Sequence, residues 1–177
     1  MLNEFLSRIK KEGLAKSNRY VVEFGVPQSV SADTDLLRLY CDSVTLPGIN
    51  LATANIRTTG DQREMVYERT FEPITFTFYM DVNYEIRSIF EKWMNLVVNP
   101  NSSYIGYFRD YVKDITITPL NMDENFENPP YQLKLYEAYP KTMSAINLGY
   151  GNNEVMKLTI TVSYSYWRSS ETTIEYD

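Results

Sequence analysis

The sequence predicts an α+β fold that is mainly β: a small antiparallel β-barrel or sandwich with one flanking α-helix, a short N-terminal helix and a long protruding hairpin. Three observations carry this expectation. Leu158, Ile160, Val162, Tyr164 and Tyr166 alternate with Thr159, Thr161, Ser163, Ser165 and Trp167, the period-two pattern of a strand with one apolar and one hydroxyl-rich face. "PITFTFYMD" (Pro73–Asp81) repeats the pattern, with Ile74, Phe76, Phe78 and Met80 on one face and Thr75, Thr77 and Tyr79 on the other. Finally, Ile86, Ile89, Phe90, Trp93, Met94 and Val97 recur at spacings of three and four, so a helix of about residues 84–98 presents an apolar stripe to the sheet.

Taken in order, Phe5, Leu6, Ile9 and Leu14 space as on a short helix, broken by Gly13 and Ser17-Asn18. Its basic residues Arg8, Lys10 and Lys11 lie among Glu4 and Glu12, the pattern of a solvated helix face. "RYVVEFGV" reads as a strand, residues 28–35 as a polar loop, and "LLRLYCDSV" (Leu36–Val44) as a second strand stopped by Leu46-Pro47-Gly48.

From about residue 49 to 71 the composition turns polar around Thr59-Gly60-Asp61, giving a long hairpin with little core-facing material. Ile56 and Met65-Val66-Tyr67 are β-formers, so the hairpin is expected to order against a partner. Asn83 is the expected N-cap of the long helix, and Asn99-Pro100 ends it. "YVKDITITP" and "YQLKLYEAY" are further strands around an acidic loop, residues 121–128. "YPKTMSAINLGYGNNE" is a connector to the final strand; its Gly-Tyr-Gly is a turn, lacking the third glycine of a dinucleotide fingerprint. One domain over residues 1–167 and a polar arm over 168–177 are expected.

Chemistry is scarce. The chain has no histidine and one cysteine, Cys41, which excludes Ser–His and Cys–His nucleophiles, an intrachain disulfide and the usual zinc sites. Catalytic, metal and cofactor residues are therefore expected to be none. The remaining enzymatic alternative is a carbohydrate hydrolase using the loop carboxylates Asp123 and Glu127, and the fifteen tyrosines leave a carbohydrate-binding domain as the other. A net charge of −6 without a basic cluster argues against gripping nucleic acid. The N-terminus lacks an apolar signal core and no run approaches a membrane span, so assembly in a reducing cytoplasm and no membrane partner are expected.

The order of features resembles the tail tube proteins of contractile-tailed bacteriophages. A short helix runs into "NRYVVEF", the Cys41 strand reaches "VTLPG", and the polar hairpin carries "TTGDQR". "FEKW" (Phe90–Trp93) lies on the helix, and Tyr139-Pro140 and "NNE" precede a strand ending in Tyr166-Trp167. The resemblance, over about residues 2–167, implies a structural virion protein. It implies that six copies form a ring and that rings stack into a tube that delivers the genome through a contractile tail. It implies a tail sheath outside, baseplate and neck proteins at the ends, and tape-measure protein or DNA passing through the lumen without specific binding. The hairpin residues Ala54, Asn55, Ile56, Arg57, Thr59, Gly60, Asp61 and Arg63 are then expected to reach the next ring. Thr159, Thr161, Ser163 and Ser165 on the closing strand are expected to face the lumen or a ring neighbour. A specialised ring that initiates or terminates the tube at baseplate or neck remains an alternative.

Overall fold

The computed structural model describes residues 2–57, 60–120, 131–151 and 154–170. Seven of its strands form one antiparallel sheet: β1 (Tyr20–Phe24), β2 (Cys41–Val44), β5 (Ile74–Tyr79), β6 (Lys113–Pro119), β7 (Leu133–Met143), β8 (Lys157–Ser163) and β9 (Tyr166–Ser169). They are ordered β1-β6-β7-β8-β5-β2, with β9 paired to β7. The remaining two, β3 (Asn50–Ile56) and β4 (Arg63–Thr70), pair with one another as a separate hairpin.

The sheet folds over on itself at β7. Opposite the single residue Asp114 of β6, β7 places two, Tyr136 and Glu137, and Glu137 takes φ 54. Such a bulge bends and twists a strand. The N-terminal half of β7 consequently pairs with β6 and β9, and the half from Tyr139 onward pairs with β8. Asp114 secures the bend: its carboxylate accepts the Glu137 N–H (3.4 Å) and pairs with Lys134 (2.8 Å). No backbone ladder joins β1 to β2 among the described residues, so the result is a sandwich-like sheet and not a closed barrel. At that seam the Tyr20 hydroxyl donates to the Asp42 carbonyl at 2.6 Å.

The alternating strands bury the faces their sequences predict. Phe76 and Phe78 of β5 and Leu158 and Ile160 of β8 are fully buried, and Thr75, Thr77, Thr159 and Thr161 face the other way. Helix α3 (Glu85–Val97) lays Ile86, Ile89, Phe90 and Trp93 onto this core. Phe90 meets Phe78 at 5.3 Å between ring centroids, and Trp93 donates its indole N–H to the Tyr111 carbonyl at 2.6 Å. Burying side chains of this size contributes about 1.5–3 kcal/mol each before entropy. Helix α1 (Leu2–Glu12) ends at Gly13, whose φ of 74 and N–H to the Ile9 carbonyl make a left-handed C-terminal cap.

Several expectations are corrected. Leu36–Val44 is not one strand: α2 (Thr34–Tyr40) precedes β2, with Asp33 as the N-cap accepting the Asp35 N–H. An aspartate cap, a second aspartate in the first turn and Leu37 as the sole buried residue of the helix explain it. The stretch read as polar loop also contains a 3-10 turn over Gln28–Val30 that buries Val30. The long helix is not capped by Asn83. Asp81 does that work, accepting N–H bonds from Asn83 (3.1 Å), Glu85 (3.0 Å) and Ile86 (3.3 Å), while Tyr84 turns through φ 58.

A short helix, α4 (Phe108–Tyr111), precedes β6. The first part of the expected connector, Tyr139–Met143, belongs to β7. The closing strand is also interrupted. β8 stops at Ser163, the chain bends at Tyr164-Ser165, and β9 starts on a different part of β7. The alternation therefore fails beyond Tyr164: Tyr166 lies exposed, stacked on Tyr136 at 4.7 Å.

Candidate functional site

The β3–β4 hairpin projects without a core. Its register runs from Asn50↔Thr70 to Ile56↔Arg63, with one irregularity near Tyr67, and every residue of β4 is exposed. Seven residues of β3 at about 3.3 Å each give an arm of roughly 20 Å. Ala54, Asn55 and Ile56 lie on β3, opposite Met65, Glu64 and Arg63. Arg57, Gly60 and Asp61 are near the turn, where Gly60 takes φ 87, and Thr59 lies outside the described residues. Polar contacts tie the arms together: Thr53 donates to Glu64, and the Asn50 side-chain amide donates to Glu72 at 3.0 Å. Exposed apolar residues Leu51, Ile56, Met65, Val66 and Tyr67 cover no core of their own subunit.

The hairpin's root is fastened by Tyr164 in the bend after β8 and Trp167 in β9. The Trp167 indole N–H donates to the Gly48 carbonyl at 3.3 Å, and the Tyr164 hydroxyl donates to the Glu72 carbonyl at 2.8 Å. The Arg69 guanidinium lies over both the Phe71 ring (4.9 Å) and the Trp167 ring (5.6 Å), and Phe71 packs on Tyr164 at 6.0 Å. These clamp residues were not among the expected site residues. Their signal in the sequence is the aromatic run Tyr164–Trp167 placed where the alternation loses phase.

A second surface is the outward face of β5, β8 and the second half of β7. Thr159 stands opposite Thr77, and Thr161 stands between Thr75 on one side and Thr142 on the other. Ser43 of β2 continues the row beyond Thr77. Ser163 follows on β8 opposite Tyr139, whereas Ser165 lies in the bend and does not join the rows. Thr75, Thr77 and Thr142 thus extend the expected set, because strand pairing brings together three segments that are distant in sequence. At one end Lys157 and Asp42 meet at 2.7 Å beside Tyr79. The hydrogen bond from Lys157 holds the Asp42 carboxyl below its usual range, and Asp42 raises Lys157, so the pair stays ionised and mutually neutralised.

Reactive groups are subdued. Burial pushes the Cys41 thiol up to about 12, and burial with the neighbouring Cys41 and Asp42 pushes Tyr20 up to about 12. A thiol so shifted is protonated at neutral pH and is a poor nucleophile. Among the described residues no group of three or more acidic or thiol side chains is arranged to hold a metal ion, and no helix is long and apolar enough to cross a membrane. Asp123 and Glu127, the carboxylates of the enzymatic alternative, lie outside the described residues.

The sequence model of the phage tail tube protein family matches residues 15–170. No curated protein matches the sequence. Among solved structures, the fold is similar to a chain of the anti-feeding prophage baseplate, at a TM-score of 0.67 and 15% identity, covering 88% of this chain and 95% of that one. It is also similar to a chain of the PVC sheath/tube terminator of an extracellular contractile injection system, at 0.64 and 17%, covering 88% and 96%. A chain of the PVC sheath-tube complex aligns at 0.61 and 18%, covering 92% and 95%.

Proposed function

The chain belongs to the phage tail tube protein family, and from that premise we propose that it is a tube subunit forming hexameric rings that stack into the inner channel of a contractile tail. The β3–β4 hairpin carries the reading. A two-stranded ribbon is marginal in water by itself, yet this one is exposed on both arms, makes no ladder with the main sheet among the described residues and is clamped at its root. Such an arm is completed by another molecule, and in a stacked tube that molecule is a subunit of the adjacent ring.

The hydroxyl face made by Thr75, Thr77, Thr142, Thr159 and Thr161 lines the lumen in this reading. Hydroxyls hydrate well and carry no charge, and the Lys157–Asp42 ion pair at their margin is internally neutral. A hydroxyl wall on a chain of net charge −6 grips phosphates less than a basic wall would. A tape-measure protein or DNA passes along it without specific binding. The tail sheath lies outside, baseplate and neck proteins lie at the ends, and the protein's place is the virion tail after assembly in the host cytoplasm.

Replacing Ala54–Arg63 with a short Gly-Ser turn tests the reading by electron microscopy and sedimentation. The variant is expected to fold and form rings that do not stack; tubes of ordinary length from it would overturn the hairpin's role.

A further inference from the structure

Strand direction fixes what lies opposite the hairpin. β5 leaves the root next to Glu72 and runs six residues to Tyr79, with β8 antiparallel beside it. The loop after β5 and the loop before β8 therefore meet at the far end of the sheet, about 20 Å from the root. They join there: the Met80 N–H donates to the Met156 carbonyl at 2.9 Å, and the Tyr84 hydroxyl lies 3.9 Å from the Met156 sulfur.

This far end is apolar on its outside. In the first loop Val82 is 93% exposed and Tyr84 is exposed; in the second Leu148 is 76% and Val155 69% exposed, with Tyr150 exposed too, and that loop borders a cleft of about 780 Å³. Exposed apolar side chains gathered from two loops mark a contact surface rather than scattered surface residues. Glu85 at the start of α3 and Glu154 in the second loop are acidic residues next to this patch in sequence, with Asp81 of the first loop turned to the helix N–H groups, while the nearby cation Lys157 is engaged by Asp42.

The hairpin offers the complement. Ile56, Met65 and Tyr67 are exposed, and Arg57 and Arg63 flank the turn with no ion pair among the described residues. Glu64 accepts from the Thr53 hydroxyl and keeps its charge, and Asp61 lies at the turn, so the tip carries carboxylates as well as the two arginines. Two unlike surfaces at opposite ends of one subunit make a heterologous contact, which repeats without closing along a stack.

We propose that the patch of Val82, Tyr84, Leu148, Tyr150 and Val155 is the acceptor for the hairpin of a second copy of this chain in the adjacent ring, with Arg57 and Arg63 facing Glu85 and Glu154. The assignment rests on the reading that the hairpin joins rings, and it adds the surface that receives it.

The test combines two variants as preformed rings. Val82→Asp with Tyr150→Asp spoils the acceptor but leaves the hairpin; the Gly-Ser replacement of Ala54–Arg63 does the reverse. Each alone is expected to raise the concentration needed for stacking by at least about tenfold, a loss of about 1.4 kcal/mol or more. Mixed, they are expected to form pairs of rings and no longer stacks, since one supplies a hairpin and the other an acceptor. Tubes from the acceptor variant, or a mixture that stays as single rings, would overturn the acceptor assignment. The hairpin reading then stands or falls separately on whether the hairpin-deleted rings stack. Should the acceptor variant fail to form rings, crosslinking replaces it. In a Cys41→Ser background, Met65→Cys and Val155→Cys with a short bismaleimide are expected to join neighbouring chains in assembled tubes. Absence of that dimer would equally overturn the assignment.

Discussion

Trp167→Phe weakens the clamp at the hairpin root while leaving an aromatic ring packed on the core. The substitution keeps an aromatic ring beside Arg69 but removes the indole N–H that donates to the Gly48 carbonyl at 3.3 Å. A net hydrogen bond is worth about 0.5–1.5 kcal/mol, and an exposed cation–π contact of about 0.5–1 kcal/mol weakens when Phe replaces Trp. The subunit should lose about 1–1.5 kcal/mol, or about 2–6 °C of melting temperature for a chain of this size, and should still form rings. Stacking should suffer far more. In a hexameric ring all hairpins seat together, so the lost preorganisation amounts to as much as about 6–9 kcal/mol per ring-to-ring contact. The assay measures the critical concentration for tube growth by sedimentation, with differential scanning fluorimetry as the stability control. A rise of at least about tenfold is expected. An unchanged critical concentration together with the modest fall in melting temperature would refute the idea that the clamp aims the hairpin.

Three further outcomes follow from local geometry. Asp81→Ala should cost about 0.5–2 kcal/mol at pH 7 by uncapping α3, measured by urea unfolding. Burial opposes ionisation of Asp81, but N–H bonds from Glu85, Ile86 and Asn83 hold its carboxyl below the usual range. Its contribution is thus present above the ordinary aspartate pKa and lost as pH falls through the depressed value, and the gap between wild type and variant should close in acid. Cys41 and Tyr20 behave oppositely: their folded values are raised from 9.0 and 10.0 to about 12, so the stability these two groups contribute is fully present below about pH 9 and is lost as pH climbs to about 12. Cys41→Ala should delay the onset of that alkaline loss, and wild-type Cys41 should react with thiol reagents at pH 8 much more slowly folded than in urea. Gly25→Ala should destabilise by about 1–3 kcal/mol, because a Cβ there would sit 2.6 Å from the Asp114 carbonyl oxygen.

What the sequence reveals depends on how far apart the cooperating residues are. β5, β8 and α3 are legible because each buries one face along a local period, and Phe76, Phe78, Ile160 and Phe90 all lie on the expected side. The hairpin is legible through its polar arms and Gly60. Helix α2 hides because it is only seven residues long: Leu36, Leu37 and Tyr40 turn to the core, but the exposed Leu39 and the strand-like run into Cys41–Val44 mask so short a stripe. The bend at Ser165 hides because Trp167 continues the alternation in letters while its partner strand changes. The hydroxyl face needs the register of Thr75, Thr142 and Thr161, and the clamp spans the 119 residues between Gly48 and Trp167. Pairings of that range are set by the folded sheet and leave no local pattern.

Electron microscopy of the purified chain at high concentration, followed by helical reconstruction, is the most direct test of assembly through the hairpin. The expected image is a tube of stacked six-membered rings, each hairpin seated on the neighbouring ring and the Thr75–Thr161–Thr142 row turned to the lumen. Dispersed monomers, or a tube whose rings meet without the hairpins, would contradict it.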